Sequence, residues 1–108
     1  MSFLTTTHLQ DILEQSEKTP VILFKYSNSC GSSDTLKRDF ENIFLKNKLK
    51  NQVFLVTIQT QTNLSQNIED FFNIKHESPQ IIVIKDKKVV LFKNHKSIKI
   101  EDLLHFSM

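Results

Sequence analysis

The chain has 108 residues, 39% of them hydrophobic and nine of them phenylalanine, enough for one packed core and short for two. A formal net charge of +2 with 24% charged residues is too mild for a nucleic-acid-binding surface, and no apolar run approaches the roughly 20 residues that span a membrane. The single cysteine rules out an internal disulfide, and Met1-Ser2-Phe3-Leu4 does not open a secretory leader, so residues 1–108 are expected to form one cytoplasmic domain.

In chain order, Thr7 followed by Gln10 resembles a capping box. Leu9, Ile12 and Leu13 then repeat at helical spacing, which predicts a first helix over 7–17 that Lys18-Thr19-Pro20 ends. Val21 to Phe24 is a continuous apolar run rich in β-branched residues and reads as a strand covered on both faces. A polar turn follows. Leu36, Phe40, Ile43 and Phe44 fall at i, i+4, i+7 and i+8 and predict a helix from about Cys30 to Asn47. Val53 to Ile58 repeats the buried-strand pattern, and Leu64, Ile68, Phe71 and Phe72 predict a third helix with one apolar face. Ile81–Ile84 and Val89–Phe92, separated by Lys85-Asp86-Lys87-Lys88, predict an antiparallel hairpin, although Asp-Lys is a poorer turn pair than Asn-Gly. Leu103, Leu104 and Phe106 suggest a closing helix.

The order α-β-α-β-α-β-β-α describes an α/β protein with a four-stranded mixed sheet flanked by helices. With a cysteine at the first strand-to-helix turn and a proline opening the third strand, it is the thioredoxin-like arrangement.

The chemistry centres on Cys30, beside the only glycine, Gly31. With Ser29 at or near the N-cap and Cys30 in the first helical turn, the thiol would face unpaired amide donors and the positive end of the helix dipole, both of which favour thiolate. Ser33 would bring a hydroxyl to the same sulfur, and Lys25 would add positive charge. A lone intracellular thiol is often simply buried and inert, but the polar neighbours Ser27, Asn28, Ser29, Ser32, Ser33 and Asp34 favour an exposed, reactive one. Gly31 either eases the turn or lets a substrate backbone approach. Pro79 either starts a strand or, in cis after Ser78, presents Ser78 backbone to an extended substrate. His76 and His95 are site neighbours or surface residues, and the four histidines show no metal-ligand spacing with one another or with Cys30. With serine at position 33 and no other cysteine, the chain can accept one sulfur adduct and pass it on, so a second thiol must come from elsewhere. Lys85, Lys87, Lys88, Lys93, Lys96 and Lys99 crowd the C-terminal quarter, either as a solvated surface or as an attraction for a small anion.

These residues resemble the monothiol bacilliredoxins, over nearly the whole chain. That family's first motif reads Lys-His-Ser, two variable residues, then Cys-Pro-Ile-Ser, matched here by Lys25, Ser27, Cys30 and Ser33. Its second, Val-Lys-His-Glu-Ser-Pro-Gln, is matched by Lys75-His76-Glu77-Ser78-Pro79-Gln80, and a histidine followed three residues later by isoleucine, after the last strand, by His95 and Ile98. Gly31-Ser32 stands in place of Pro-Ile, Tyr26 in place of the histidine, and Lys99 in place of a threonine.

The resemblance implies a thiol-disulfide oxidoreductase with Cys30 as nucleophile and Lys25, Gly31 and Ser33 supporting the thiolate. Ser78, Pro79, Gln80, His76 and His95 would bind substrate. It implies no bound cofactor, bacillithiol as co-substrate, and S-thiolated proteins as partners, with another redoxin or a thiol reductase regenerating the thiol. Neither nucleic acid nor membrane is an expected partner.

Cys30-Gly31-Ser32-Ser33 also sits one residue from the Cys-Gly-Phe-Ser motif of monothiol glutaredoxins, which bind iron–sulfur clusters with glutathione. Those proteins carry Thr-Val-Pro and a later Gly-Gly pair, where this chain has Glu-Ser-Pro and no glycine after Gly31. A third reading is a non-catalytic thioredoxin-fold interaction or thiol-sensor module.

Overall fold

A computed structural model describes residues 2–104. Helix α1 (Leu9–Lys18) leads to strand β1 (Val21–Tyr26), helix α2 (Gly31–Leu45), strand β2 (Val53–Thr57), helix α3 (Thr62–Phe72) and the hairpin β3 (Gln80–Lys85) and β4 (Lys88–Asn94). A 3-10 turn (His95–Ser97) and a one-turn helix α4 (Ile100–Leu103) follow. Phe106 of the expected closing helix lies outside the described residues. The sheet order is β2-β1-β3-β4, with β1 parallel to β2 and antiparallel to β3, and β4 antiparallel to β3.

The apolar runs are continuous because the sheet is covered on both faces. Ile22, Phe24 and Tyr26 pack with Leu36, Phe40 and Phe44 of α2 and with Leu103, while Val21 and Leu23 pack with Ile12 of α1 and with Leu64 and Ile68 of α3. Phe3 enters the first core, its ring edge-on to Phe44 at 5.0 Å. Beside it Leu4 pairs with β2 through Leu4 N–H to Val53 O and Leu55 N–H to Leu4 O, each 2.8 Å, and so covers one sheet edge.

Several local expectations change. The first helix begins two residues later than its apolar spacing implied, with His8 at the N-cap, and Thr7 and Gln10 form no capping box. Thr6 braces the entry to the helix instead: its Oγ1 accepts the His8 N–H at 3.2 Å and donates to the Asp11 carboxylate. Phe71 is 54% exposed rather than core, set edge-on to Phe72, which packs inward. Ile74, just beyond left-handed Asn73, is buried in that core. β1 runs two residues further than its apolar run, and so includes Lys25, which is wholly buried.

The hairpin turn shows how tertiary contact replaces turn propensity. Asp86 and Lys87 both have positive φ, 52° and 66°, a geometry that Asn-Gly adopts more readily. Ser16 of α1 holds them there: its carbonyl accepts the Asp86 N–H at 2.8 Å and its hydroxyl accepts the Lys87 N–H at 2.9 Å. Lys87 also pairs with Glu17 at 3.5 Å.

Candidate functional site

β1 ends at Tyr26, and the 27–30 turn delivers the chain to α2. Cys30 is itself the N-cap, with extended φ and ψ of −119° and 119°, one position earlier than expected, and helical geometry starts at Gly31. An N-cap side chain points toward the free N–H groups of the second and third helical residues, here Ser32 and Ser33. The thiol closes no capping hydrogen bond in the resting geometry. The donors nonetheless hold its pKa below the ordinary value: the Ser33 N–H and hydroxyl first, then, after an opposing effect of burial, those of Ser32. The thiol is partly exposed.

Ser33 is wholly buried and ties three segments together. Its Oγ accepts the Ser27 N–H at 3.3 Å and lies 3.4 Å from Ser78 Oγ, so the first turn of α2 is joined to the end of β1 and to the loop before β3. In that loop the Ser78–Pro79 peptide bond is cis. The Pro79 carbonyl accepts the His95 N–H at 2.9 Å, and His95 Nε2 is 3.1 Å from Glu77 Oε2. That contact holds the Glu77 carboxyl below its usual range. Ser32, Thr35, Pro79, His95, Lys96 and Ile98 are among the walls of an open groove of about 730 Å³ running from the first turn of α2 to the 3-10 turn.

Gly31 is helical, not left-handed, and a Cβ built on it would meet nothing within 4 Å. The fold itself therefore does not require glycine there, which leaves the space outside the chain as what the missing side chain keeps clear.

Lys25 and His76 lie elsewhere. Alternation along β1 sends Phe24 and Tyr26 toward α2 and Lys25 toward α3. The Lys25 ammonium donates to the Ser65 carbonyl at 3.1 Å and to His76 Nδ1 at 3.3 Å. The donors that lower the Cys30 pKa do not include it. The expectation that Lys25 brings charge to the thiol is therefore corrected by strand geometry. Burial lowers its own pKa to about 8 despite Glu69, and burial, followed by Lys25, lowers that of His76. With Nδ1 accepting, neutral His76 carries its proton on Nε2. Gln80 shares this face opposite Lys25 in the sheet. It is wholly buried, and its amide donates to Lys75 O at 3.0 Å and Asn94 Oδ1 at 2.9 Å.

The lysine-rich quarter divides. Lys85, Lys87 and Lys88 sit at the hairpin tip, at the end of the sheet away from Cys30, whereas Lys93, opposite Ile81, and Lys96 lie on the groove side. Among the described residues no group of three His, Cys, Asp or Glu side chains is arranged to hold a metal ion.

Three contributors escaped the motif reading. Gln59 donates to Ser27 Oγ at 2.8 Å and Ser29 Oγ at 3.3 Å, and accepts the Asn28 N–H at 3.2 Å, thereby bracing the cysteine turn. The parallel pairing of β1 with β2, which sets Tyr26 beside Thr57, was the available signal, since it brings the turn after β2 alongside the turn after β1. Asn94 carries no chain-local motif. Asp34, at the start of α2, accepts a hydrogen bond from Tyr26.

Comparison with known proteins agrees with this geometry. A thioredoxin-fold protein for which an oxidoreductase activity has been suggested superposes with a TM-score of 0.80 at 21% identity, covering 97% of this chain and 93% of the other. Thioredoxin from Schistosoma mansoni gives 0.74 at 22% identity, covering 99% and 96%, and Fasciola hepatica thioredoxin gives 0.75 at 14% identity, covering 100% of both. The fold is thioredoxin-like. No curated protein matches the sequence. The model of the family described as monothiol bacilliredoxin BrxC matches residues 2–103, and the chain belongs to that family of thiol redox proteins.

Proposed function

We propose that the protein removes bacillithiol from mixed disulfides on other proteins, with Cys30 as the one thiol that this chain brings to the cycle. The observation that carries the reading is the sole cysteine of the chain standing at the N-cap of α2, with Ser33 and Ser32 donors favouring thiolate and the Ser78–Pro79 loop packed beside that turn. The Cys30 thiolate attacks the bacillithiol sulfur. The mixed disulfide breaks, the target sulfur leaves as thiolate and takes a proton from water, and a Cys30–bacillithiol disulfide forms. A second bacillithiol thiolate then attacks the bound bacillithiol sulfur and frees Cys30, leaving as bacillithiol disulfide for a separate thiol reductase. The cycle needs no bound cofactor and suits a cytoplasmic setting, where protein thiols are kept reduced. No described helix is long and apolar enough to cross a membrane.

Bacillithiol carries two malate carboxylates, and Lys96 at the groove with nearby Lys93 supports their placement there. Intact-mass analysis after incubation with oxidised bacillithiol, glutathione disulfide or coenzyme A disulfide is the test. The expected result is a bacillithiol adduct on Cys30, reversed by excess bacillithiol and absent in Cys30→Ser. No adduct, or equal capture of all three, overturns the assignment. Neutral residues at both 93 and 96 should slow turnover of bacillithiol adducts, and unchanged rates would remove the groove from the reading.

A further inference from the structure

The end of β1 carries a contact that the cysteine chemistry above does not use. Tyr26 is buried, its ring edge-on to Phe24 at 5.9 Å, and its hydroxyl donates to Asp34 Oδ1. Lys37, one turn along α2, sets its ammonium 5.1 Å from the centre of the same ring. The groups that face Tyr26 are thus Asp34 and Lys37 of α2 together with Glu41 one turn further, and the Asp34 contact raises the Tyr26 pKa. The hydroxyl therefore stays protonated and remains a donor at neutral pH.

Asp34 is placed awkwardly for a thiolate. Its N–H bonds the Cys30 carbonyl at 3.1 Å in the first turn of α2, and residues four apart on a helix are neighbours. An acidic side chain at that place favours the helix dipole, but a carboxylate facing the sulfur would oppose the negative charge forming there. The Asp34 carboxylate instead accepts the Tyr26 hydroxyl, and that bond turns it back toward β1.

We propose that Tyr26 is a positioning residue for the thiol-exchange site, holding the Asp34 carboxylate away from Cys30 and fastening the first turn of α2 to the end of β1. The inference rests on Cys30 acting as a thiolate, and its test reads that thiolate directly, apart from any bacillithiol chemistry. Thiolate absorbance is followed against pH, with the rate of iodoacetamide alkylation at pH 7, in the full chain. Tyr26→Phe should move the titration to higher pH and slow alkylation about twofold to fivefold, the scale of a like-charge neighbour one turn away or somewhat more. Asp34→Asn alone should stay within about twofold of the parent, because the charge it removes is already turned aside. In the double variant the slowing should vanish. An unmoved titration in Tyr26→Phe overturns the proposal, as does a slowing that persists without the Asp34 charge. If Tyr26→Phe does not fold, Asp34→Asn decides alone: a marked acceleration would mean that the carboxylate already faces the sulfur. Failure of bacillithiol capture with this cycle intact would count against the substrate and not against Tyr26.

Discussion

The two faces of the sheet finish differently at the cysteine end. On the α2 face the groups that favour the thiolate are small and neutral, Ser33 and Ser32, with Ser78 against Ser33, and the partly exposed thiol stands beside an open groove. On the α3 face a full positive charge, Lys25, is wholly buried with His76 and the Ser65 carbonyl for partners. One face favours a charge by dipoles that cost little to keep there, and the other holds a charge that burial disfavours. The cation acts structurally, binding α3 and the 75–79 loop to the sheet, and the thiol chemistry belongs to the α2 face.

The largest effect expected from separating the two faces is in the pH dependence of stability. The folded pKa of Lys25, about 8, lies below its ordinary 10.5 because burial disfavours the ammonium. The penalty is full below pH 8 and fades as pH rises to 10.5, where the unfolded chain holds more protons, so this group makes stability rise with pH. The rise is of the order of 1–3 kcal/mol once solvent screening is allowed for. Denaturant unfolding of wild type and Lys25→Met between pH 7 and 10.5 should show wild-type stability rising relative to the variant as pH rises, and parallel curves would remove the buried charge from the comparison. The thiol titration of Lys25→Met should match wild type.

Ser33→Ala is the converse. Loss of one hydroxyl donor to the thiolate is worth about 1 kcal/mol, so alkylation at pH 7 should slow about fivefold, with the thiol titration moving up. The pH slope of stability assigned to Lys25 should survive unchanged, since the two sites share no partner. A shared response would join the faces into one unit.

The smallest effect concerns Gly31. It occupies the first helical position, where proline is favoured, and Cys30 already has the extended conformation that a following proline demands. Gly31→Pro should therefore raise stability by about 0.4–1 kcal/mol, read as a higher unfolding midpoint, through reduced freedom of the unfolded chain. A fall would show that the turn needs glycine after all.

Much of the fold was legible because its signals are local and redundant. Val21–Phe24, Val53–Val56 and Ile81–Ile84 are unbroken apolar runs of strand length, and Leu36, Phe40 and Phe44 mark the buried face of α2 without ambiguity. Cys30 and the Ser78–Pro79 pair stood out as unusual residues at element boundaries. What stayed hidden depends on partners distant in sequence. Lys25 reads as the charged end of a strand, and only the packing of α3 makes it interior. Gln59 braces a turn about 30 residues away, and Thr6 braces the approach to a helix at which Thr7 and Gln10 fit the capping consensus better. Phe71 fits the helical period of α3, yet it is Phe72, four residues after Ile68, that packs inward and leaves Phe71 outside.

The Ser16 clamp on the hairpin turn acts on the opposite pole of the molecule through register. A two-residue turn fixes which residues of β3 and β4 face each other, and a slip of one position would invert every side chain of β4. The register then shifts by one between Val83 and Ile84, and Asn94 reaches Gln80, and His95 reaches Pro79 and Glu77, through the turn and that shift together. One hydroxyl on the first helix thus helps fix the far wall of the groove, so a lesion at Ser16 would be felt as misalignment at a site it never touches.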